Sequence, residues 1–496
     1  MDAFLSVLTA LGQLDSLGML LLGSSIGFMF GMLPGLGGTA ALALSLPLVY
    51  GMDPDAAMYL LSGIIGAVAC PGAITAIILN TPGTAVNAAT CLDGYPMAQK
   101  GEAGRAISIA AFASLAGALF GIFILVILIP VVRTVIMSFT PPELFMLCAV
   151  GLVTATVAIK GNTIKGLISG CLGLLMASVG YSHVTALVRF NFGTDFLWDG
   201  VPLIPFFIGL FALGEMLWII STGKETVSRE PIVIKGGRVQ GLKDVVKYRR
   251  CLLTSSLIGT GIGIIPGVGG SVANFVSYLF GQQFSKTPEK FGTGHPEGIV
   301  ASEAANDAKD GGSLIPTLAF GLPGSAEMAV LLGGLVLVGI NPGPTIMLEH
   351  LNLVWVIIIG VILANVFAST MAILLANHLA KVTRVNLSYL IPIVILLCFI
   401  GSFALRNSML DAFTVMIFGL LGYMMRRGGF PIIPMVIGFV IGGIAENAFL
   451  QSLMISDGSY AIFFTRPISL VLFILAMFLL VLPFLDSRIE RPPQTN

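Results

Sequence analysis

Two stretches of this sequence carry a proline and several glycines in the same order, a pattern that can expose backbone groups to a ligand. Residues 24–38 and 256–270 are identical at eight of fifteen positions without a gap, and six of those eight are glycine or proline. Proline removes a backbone donor and glycine loosens a helix, so each stretch predicts a helix break. The N–H groups freed at a break, beside the positive end of the following helix, can bind an anion.

A second proline–glycine element follows in each half, TAIILNTPGTA at 75–85 and PTLAFGLPGSA at 316–326. One such pair alone would indicate only a tight kink, but four breaks paired by a repeat favour a binding cavity between two halves of a transporter. Nearby hydroxyl and amide groups could bind carboxylate oxygens. We therefore predict a substrate site that contains Pro34, Gly35, Gly37, Gly38, Asn80, Thr81, Pro82, Gly83, Thr84, Pro266, Gly267, Gly269, Gly270, Ser271, Pro323, Gly324 and Ser325.

Acidic side chains inside apolar stretches are the candidates for ion coupling. Glu327 follows the last Pro-Gly break and Glu446 lies in an apolar run, so either could carry a proton or an ion, and an acid at a helix end is the alternative. Coupling could use H⁺ through such an acid or Na⁺ through carbonyl and hydroxyl oxygens of the breaks. For Glu215, which is close to a basic segment, we favour the interfacial alternative.

A polar stretch at 295–312 precedes the last break. Glu303 and Asp307 are four residues apart and would share one helix face. We interpret the stretch as a solvated loop and helix start rather than as a gate. The first and second prolines are 48 residues apart in the first half (Pro34 and Pro82) and 57 in the second (Pro266 and Pro323). The difference predicts a polar insertion within residues 291–312.

The elements that must position these residues are membrane helices. The chain of 496 residues is 56% hydrophobic and only 10% charged, far less charged than a soluble domain. Charge-free windows, such as those at 16–52 and 251–285, are long enough to cross a bilayer, and together they predict about 12 membrane helices. The fold expected is all-α and polytopic, with two structural repeats that contain broken or re-entrant helices.

The charge distribution divides the chain into four parts. We predict an N-terminal membrane repeat at 1–223, a basic cytoplasmic connector at 224–250, a C-terminal membrane repeat at 251–485 and a polar tail at 486–496. The connector is expected to be an aqueous loop. A formal net charge of zero indicates no nucleic-acid partner, and the bilayer is the expected surroundings of both repeats.

The sequence offers no signal for an enzyme. It contains no G-x-x-x-x-G-K-[ST], G-x-S-x-G or H-E-x-x-H motif, and its six cysteines and four histidines lack metal-ligand spacing. We therefore expect no cofactor and no metal beyond Na⁺ as a candidate coupling ion. An intramembrane enzyme acting on a lipid-linked substrate and a scaffold without a transport path stay as alternatives from other classes.

The quoted motifs resemble those of a known family. The run from Gly27 to Gly38, its second copy ending at Gly270, and NTPGT at 80–84 followed by DGYP at 93–96 are similar to the large membrane subunit of bacterial tripartite tricarboxylate transporters. The resemblance covers nearly the whole chain. The second copy has Gly321 where the first has Asn80.

This resemblance implies a secondary transporter driven by a Na⁺ or H⁺ gradient in the bacterial inner membrane. A periplasmic solute-binding protein would deliver the substrate, and a small membrane subunit would complete the complex. The substrate class implied is a di- or tricarboxylate such as citrate. The repeats are expected to be inverted, with their breaks meeting at the substrate. An autonomous ion-coupled permease that needs no binding protein is the alternative within transport.

Overall fold

The computed structural model describes residues 14–33, 35–158, 163–182, 184–223, 236–382 and 387–486, together with residues 7, 11 and 12. In the first half the helices are α1 (Leu14–Gly31), α2 (Gly37–Val49), α3 (Pro54–Leu79), α4 (Thr90–Met97), α5 (Ala103–Ile136), α6 (Pro141–Val157), α7 (Thr163–Ala177), α8 (Leu203–Phe207) and α9 (Gly214–Thr222). In the second half they are α10 (Arg238–Lys247), α11 (Arg249–Ile264), α12 (Gly269–Phe284), α13 (Pro296–Phe320), α14 (Ala326–Leu337), α15 (Pro344–Glu349), α16 (Leu351–Val382), α17 (Leu387–Arg406), α18 (Met409–Arg427), α19 (Ile432–Ile455), α20 (Ile462–Thr465) and α21 (Pro467–Asp486).

Short segments complete the fold. Two π-helical turns join neighbouring helices at Ala98–Glu102 and Ile208–Leu213, and 3₁₀ turns lie at Ala85–Asn87, Asp195–Leu197 and Pro288–Lys290. The strands β1 (Gly180–Tyr181) and β2 (Val188–Arg189) form an antiparallel hairpin in which Gly180 pairs with Arg189. The prediction of an all-α chain is therefore confirmed.

Many of these helices suit a bilayer. Within the described residues, eight helical segments are long and apolar enough to cross a membrane: Leu14–Gly31, Pro54–Leu79, Thr90–Ile136, Leu203–Thr222, Leu351–Ala376, Tyr389–Arg406, Met409–Arg427 and Ile432–Ile455. Shorter apolar helices of 10–17 residues add Gly37–Val49, Pro141–Val157, Thr163–Ala177, Ala326–Leu337 and Pro467–Pro483. Short apolar helices are what a chain with broken membrane helices should contain, and the predicted figure of about 12 is compatible with this set.

The duplicated sequence folds into the same series of elements twice. In each copy a helix ends in a break, a second helix follows, and a long buried helix leads to the second break: α1, α2 and α3 in the first half, α11, α12 and α13 in the second. Residues 57–78 of α3 and 298–319 of α13 are buried along their whole length. These two helices form the centre of the fold. The first break of each half lies beside the middle of its long helix, and the second break lies at that helix's C-terminal end.

Equivalent glycines make equivalent contacts in the two copies. A Cβ added to Gly27 would press against the carbonyl oxygen of Ile64, and one added to Gly259 against that of Ala305. In the same way, a Cβ added to Gly31 would press against the carbonyl oxygen of Val68, and one added to Gly263 against the carbonyl oxygen of Lys309. The Gly-x-x-x-Gly spacing thus lets α1 approach α3, and α11 approach α13, at backbone contact. The inverted orientation of the two repeats stays a prediction.

The stretch at 295–312 is not a solvated loop, and our interpretation of it is wrong. Its polar residues lie inside α13, where Glu303 is 0% exposed, Asp307 1% and Lys309 3%. Helix α5 covers one side of α13 and α11 covers the other, so protein encloses this helix although its sequence is polar. The extra residues of the second half also lie mostly before the range predicted for the insertion. Helices α3 and α13 are nearly equal in length, with 26 and 25 residues, so the extra residues are not in α13. Much of the extra length lies at 285–295, between α12 and α13.

The basic connector is only partly a loop. Residues 224–235 lie outside the described residues, but 238–247 form α10, which packs on α5. Asp244 of α10 is buried and accepts a hydrogen bond from Nε of Arg105 at 2.6 Å. The predicted boundary at 250/251 falls inside α11. The polar tail lies outside the described residues after Asp486.

Candidate functional site

The first break of each half produces a new helix start. Helices α2 and α12 begin at Gly37 and Gly269, and both glycines have positive φ, +61° and +76°. A left-handed backbone costs a glycine little, which explains the residue type. The first N–H groups of each helix lack an intrahelical acceptor, as an anion site requires. Pro34 lies outside the described residues, and Ser271 is in the first turn of α12.

The second break of each half ends a buried helix in the same conformation. Asn80 caps α3 with φ +53°, and Gly321 caps α13 with φ +70°. Both residue types accept the left-handed region at a helix C-terminus. The Asn80-to-Gly321 difference between the copies is therefore compatible with one shared role, helix termination.

Several N–H groups at the breaks already bind protein oxygens. Gly83 donates to the carbonyl of Gly72 at 3.2 Å, and Gly267 donates to the carbonyl of Gly324 at 3.2 Å. Gly324 donates to Oγ1 of Thr317 at 3.3 Å. Broken backbone inside a bilayer must be satisfied in this way or by a cavity. The first N–H groups of α2 and α12 still lack an intrahelical acceptor, and direct substrate contact by Gly83, Gly267 and Gly324 stays a prediction.

The structure brings elements of all four breaks to one place. A Cβ on Gly38 would lie 3.0 Å from Oε1 of Glu327, and one on Gly270 would lie 2.6 Å from Cε of Lys309. Cγ2 of Thr84 lies 3.8 Å from the position of a Cβ on Gly37. Ser325 is the N-cap of α14, where its Oγ accepts a hydrogen bond from N of Met328. Lys309, Asp310 and Glu327, with the glycines beside them, form what we call the Lys309 centre.

Lys309 is a buried cation held by two acids. Its Nζ lies 2.5 Å from Oδ1 of Asp310 and 3.2 Å from Oε2 of Glu327, and its side chain is 4% exposed. Glu327 also accepts a hydrogen bond from Oγ of Ser325 at 3.3 Å, and it lies in the first turn of α14. A carboxylate beside an ammonium and a helix N-terminus is electrostatically favoured. The Lys309 centre is therefore built to hold carboxylate groups.

A second polar cluster lies further toward the start of α13. Glu303 accepts hydrogen bonds from Oγ1 of Thr90, from Nδ2 of Asn87 at 3.2 Å and from Nδ2 of Asn306 at 3.4 Å. Asp307, one turn on, accepts from Oγ of Ser114. Asn87 in turn joins the cluster to the second break, because its Oδ1 accepts from Oγ1 of Thr84. We call Glu303, Asn306 and Asp307 the Glu303 cluster.

The remaining predicted residues occupy less enclosed positions. Asn80 is exposed, and Thr81 is half-buried with its Oγ1 3.4 Å from the carbonyl oxygen of Leu79. Glu446 forms a salt bridge of 2.7 Å with Arg189 and accepts from Oγ of Ser182 at 3.1 Å. These partners lie in or next to the β-hairpin, and none belongs to the Lys309 centre. A role for Glu446 in ion coupling stays a prediction.

Sequence reasoning missed the central charges. Lys309 and Asp310 were not among the predicted site residues, and Glu303 and Asp307 were set aside as solvated. The signal that could have found them is the length of the run between two predicted breaks. The helix runs from 296 to 320 through Gly311, Gly312 and Pro316, and residues 298–319 are all buried, so its charges lie in the interior.

Asp93, part of the DGYP motif, binds backbone N–H groups just before the start of α13. It is fully buried and accepts from N of Gly294 at 2.8 Å, from N of His295 at 2.7 Å and from the hydroxyl of Tyr278 at 2.8 Å. Asp93 belongs to α4 of the first half, whereas the three donors belong to the second. The motif therefore has a structural role at the contact between the halves, close to the helix that carries Lys309.

Comparison with known proteins gives one family. The model of the Tripartite tricarboxylate transporter TctA family matches residues 17–437, a range that includes both copies of the duplicated motif. No solved structure matches the chain.

Two curated proteins of Agrobacterium vitis are similar to the chain. The "Uncharacterized 52.8 kDa protein in TAR-I ttuC' 3'region" is 31% identical over 469 residues, which cover 94% of this chain and 92% of that protein. The "Uncharacterized protein in TAR-II ttuC' 3'region" is 32% identical over 229 residues, which cover 46% of this chain and 95% of that protein.

Proposed function

Since the chain belongs to the Tripartite tricarboxylate transporter TctA family, we propose that it is the permease subunit of a secondary transporter that imports a di- or tricarboxylate. A Na⁺ or H⁺ gradient drives the uptake. A periplasmic solute-binding protein delivers the substrate, and a small membrane subunit completes the complex in the bacterial inner membrane.

The observation that carries this proposal is the meeting of the breaks at the Lys309 centre. Gly38 and Gly270, from the first break of each half, both lie against this centre. A carboxylate substrate needs hydrogen-bond donors and positive potential in a site that excludes water. The starts of α2 and α12 supply both, and the Lys309 ammonium becomes available to the substrate where the substrate displaces Glu327. A second and third carboxylate would engage donors of the opposite half, which suits a di- or tricarboxylate better than a monocarboxylate.

The Lys309 centre also provides a way to release the substrate. Glu327 already occupies one carboxylate position beside Lys309, at 3.2 Å. An incoming substrate carboxylate would compete with Glu327 for the same ammonium, so that binding and release become an exchange between two anions. Such an exchange keeps two carboxylates beside Lys309 throughout, Asp310 and either Glu327 or the substrate, and so avoids the cost of removing a partner from a buried charge.

The test is uptake by the reconstituted complex. The chain is placed in proteoliposomes with the small membrane subunit, and the binding protein loaded with labelled citrate or another di- or tricarboxylate is added outside. Na⁺ and H⁺ gradients are imposed separately. Uptake with one gradient, lost when the binding protein is omitted, is the expected result. No uptake of any carboxylate with either gradient would contradict the proposal, and uptake without the binding protein would favour an autonomous permease.

A further inference from the structure

Two buried oxygen atoms of the Glu303 cluster lack a hydrogen-bond partner among the described residues. They are Oδ1 of Asn306 and Oδ1 of Asp307, in side chains that are 0% and 1% exposed. A buried polar atom without a partner costs about 1–3 kcal/mol, so proteins rarely keep two such acceptors on adjacent residues. Both atoms are acceptors, and a group that could satisfy both must therefore carry positive charge or donate hydrogen bonds.

The hydrogen bonds of the other atoms in these two side chains show which oxygen of each is left without a donor. Nδ2 of Asn306 donates to Oε2 of Glu303 at 3.4 Å, so the amide oxygen is the atom turned away from that carboxylate. Ser114 donates to Oδ2 of Asp307, which leaves Oδ1 as the free carboxylate oxygen. Each side chain therefore has one atom already held by a hydrogen bond, Nδ2 of Asn306 and Oδ2 of Asp307, and one oxygen that is open to a ligand.

Helix geometry places the three side chains of the cluster on one side of α13. Asn306 and Asp307 are three and four residues after Glu303, so they flank its position one turn further along. Donors from three side chains, Asn87, Thr90 and Asn306, are already used by Glu303. What the cluster still offers is one neutral and one carboxylate oxygen, next to a carboxylate that adds negative potential.

We propose that Asn306 Oδ1 and Asp307 Oδ1, supported by Glu303, bind one Na⁺ ion per chain. Hard cations take oxygen ligands, and the free atoms supply a single formal charge, which suits a monovalent ion better than Ca²⁺ or Mg²⁺. The inference rests on the proposed function, in which it names the coupling ion.

The first half of the chain lacks this site. In the register that pairs Gly31 and Val68 with Gly263 and Lys309, the counterparts of Glu303, Asn306 and Asp307 are Ser62, Ile65 and Gly66. None of these three side chains carries a charge, and the only polar one is a hydroxyl. The repeat is therefore symmetric in its backbone contacts and asymmetric in its charge, and the equivalent position in the first half does not provide a second such site.

The ion would also be linked to the substrate through short connections. Asn87 bonds both Glu303 and Thr84 of the second break. Asp307 lies two residues before Lys309 on the same helix. An ion that orders the Glu303 cluster would thereby order Thr84 and the Lys309 centre, so each bound species should favour the other.

The test measures binding without transport. The purified full-length chain is heated in detergent with NaCl, KCl or choline chloride at one ionic strength, and Tm is recorded. Ligand binding to the folded state raises stability in a saturable way. We expect a saturable rise of Tm with Na⁺ that K⁺ and choline do not reproduce. Asp307→Asn and Asn306→Ala should weaken the apparent Na⁺ affinity by at least about tenfold.

The matched control is Ser169→Ala. Ser169 also has a buried oxygen without a hydrogen-bond partner, but it lies on α7, which packs on α19. This variant should keep the full Na⁺ response. If Asp307→Asn does not fold, the Tm response of Asn306→Ala and the comparison of the three salts on the unaltered chain still test the Na⁺ site.

Three results would overturn the inference: no Na⁺-specific change in Tm, a full response in both cluster variants, or a response that follows pH and is equal in choline. The outcome is separable from that of the proposed function. A retained Na⁺ response with no carboxylate uptake would contradict the transport proposal alone. Uptake without any Na⁺ response would contradict the ion site alone.

Discussion

Nζ of Lys309 lies 3.2 Å from Oε2 of Glu327, and this pair spans the fourth helix break, from the middle of α13 to the start of α14. The chain between them contains Gly321, Pro323 and Gly324, so no continuous helix holds the two side chains in register. Their contact depends on the geometry of the break. Any change of that geometry during transport must therefore alter the pairing of a buried cation.

Replacing Lys309 should damage both folding and uptake. Lys309→Met leaves the buried Asp310 and the half-buried Glu327 without their cation, and removal of one partner from a buried ion pair costs about 3–5 kcal/mol. We expect a large fall in Tm, measured by thermal unfolding, and loss of carboxylate uptake. In the double variant Lys309→Met/Glu327→Gln one unpaired charge is removed, so part of the stability should return while uptake stays absent. A double variant no more stable than the single one would contradict the pairing.

Helix contact through glycine can be tested on a single helix. Gly259→Ala places a methyl group against the carbonyl of Ala305, whereas Gly261, two residues along α11, has nothing within 4 Å of its Cβ position. Overpacking costs about 1–3 kcal/mol, while alanine in an open helical site is favoured over glycine by about 1 kcal/mol. Gly259→Ala should lower Tm and Gly261→Ala should leave it equal or higher. Equal losses in both variants would show that α11 does not touch α13 as described.

The starts of the broken helices should affect transport more than stability. At Gly270 an added methyl group would meet Cγ1 of Val86 at 2.5 Å and Cε of Lys309 at 2.6 Å, so Gly270→Ala should displace the ammonium and reduce uptake severalfold. At Gly269 nothing lies within 4 Å, and alanine there has only the backbone cost of its positive φ, about 1–2 kcal/mol. We expect Gly270→Ala to insert and fold but transport poorly. Uptake that is unchanged in Gly270→Ala would place the substrate elsewhere.

Asp93 should be required for stability through its hydrogen bonds. Asp93→Ala leaves N–H groups of Gly294 and His295 without their acceptor, and hydrogen bonds to a charged group contribute about 1.5–3 kcal/mol each. Tyr278→Phe removes only the third donor, at 2.8 Å, and should cost less.

Thermal unfolding of the two single variants and the double variant measures the coupling. Because the Tyr278 hydroxyl and Asp93 bond each other, their losses should be less than additive. Additive losses would mean that Tyr278 does not bind Asp93.

Much of the fold followed from local patterns. Apolar runs predicted membrane helices, and each Pro-Gly motif marked a helix break, at Gly37 and Gly269 and after Asn80 and Gly321. These predictions succeeded because proline and glycine restrict the backbone wherever they occur. The prediction for 295–312 failed because burial is not local. Whether a charged helix face meets water or protein depends on which helices cover it.

What the sequence determined by itself was the repeat, the breaks and the membrane character, since these follow from residue type and spacing. Only the tertiary structure decided that Glu303, Asp307 and Lys309 are interior residues and that Gly38 and Gly270 reach Glu327 and Lys309. The physical reason is the cost of buried charge: such residues are tolerated only beside partners that come from distant parts of the chain. Asn87, Ser114 and Glu327 are those partners, and no spacing in the sequence places them next to α13.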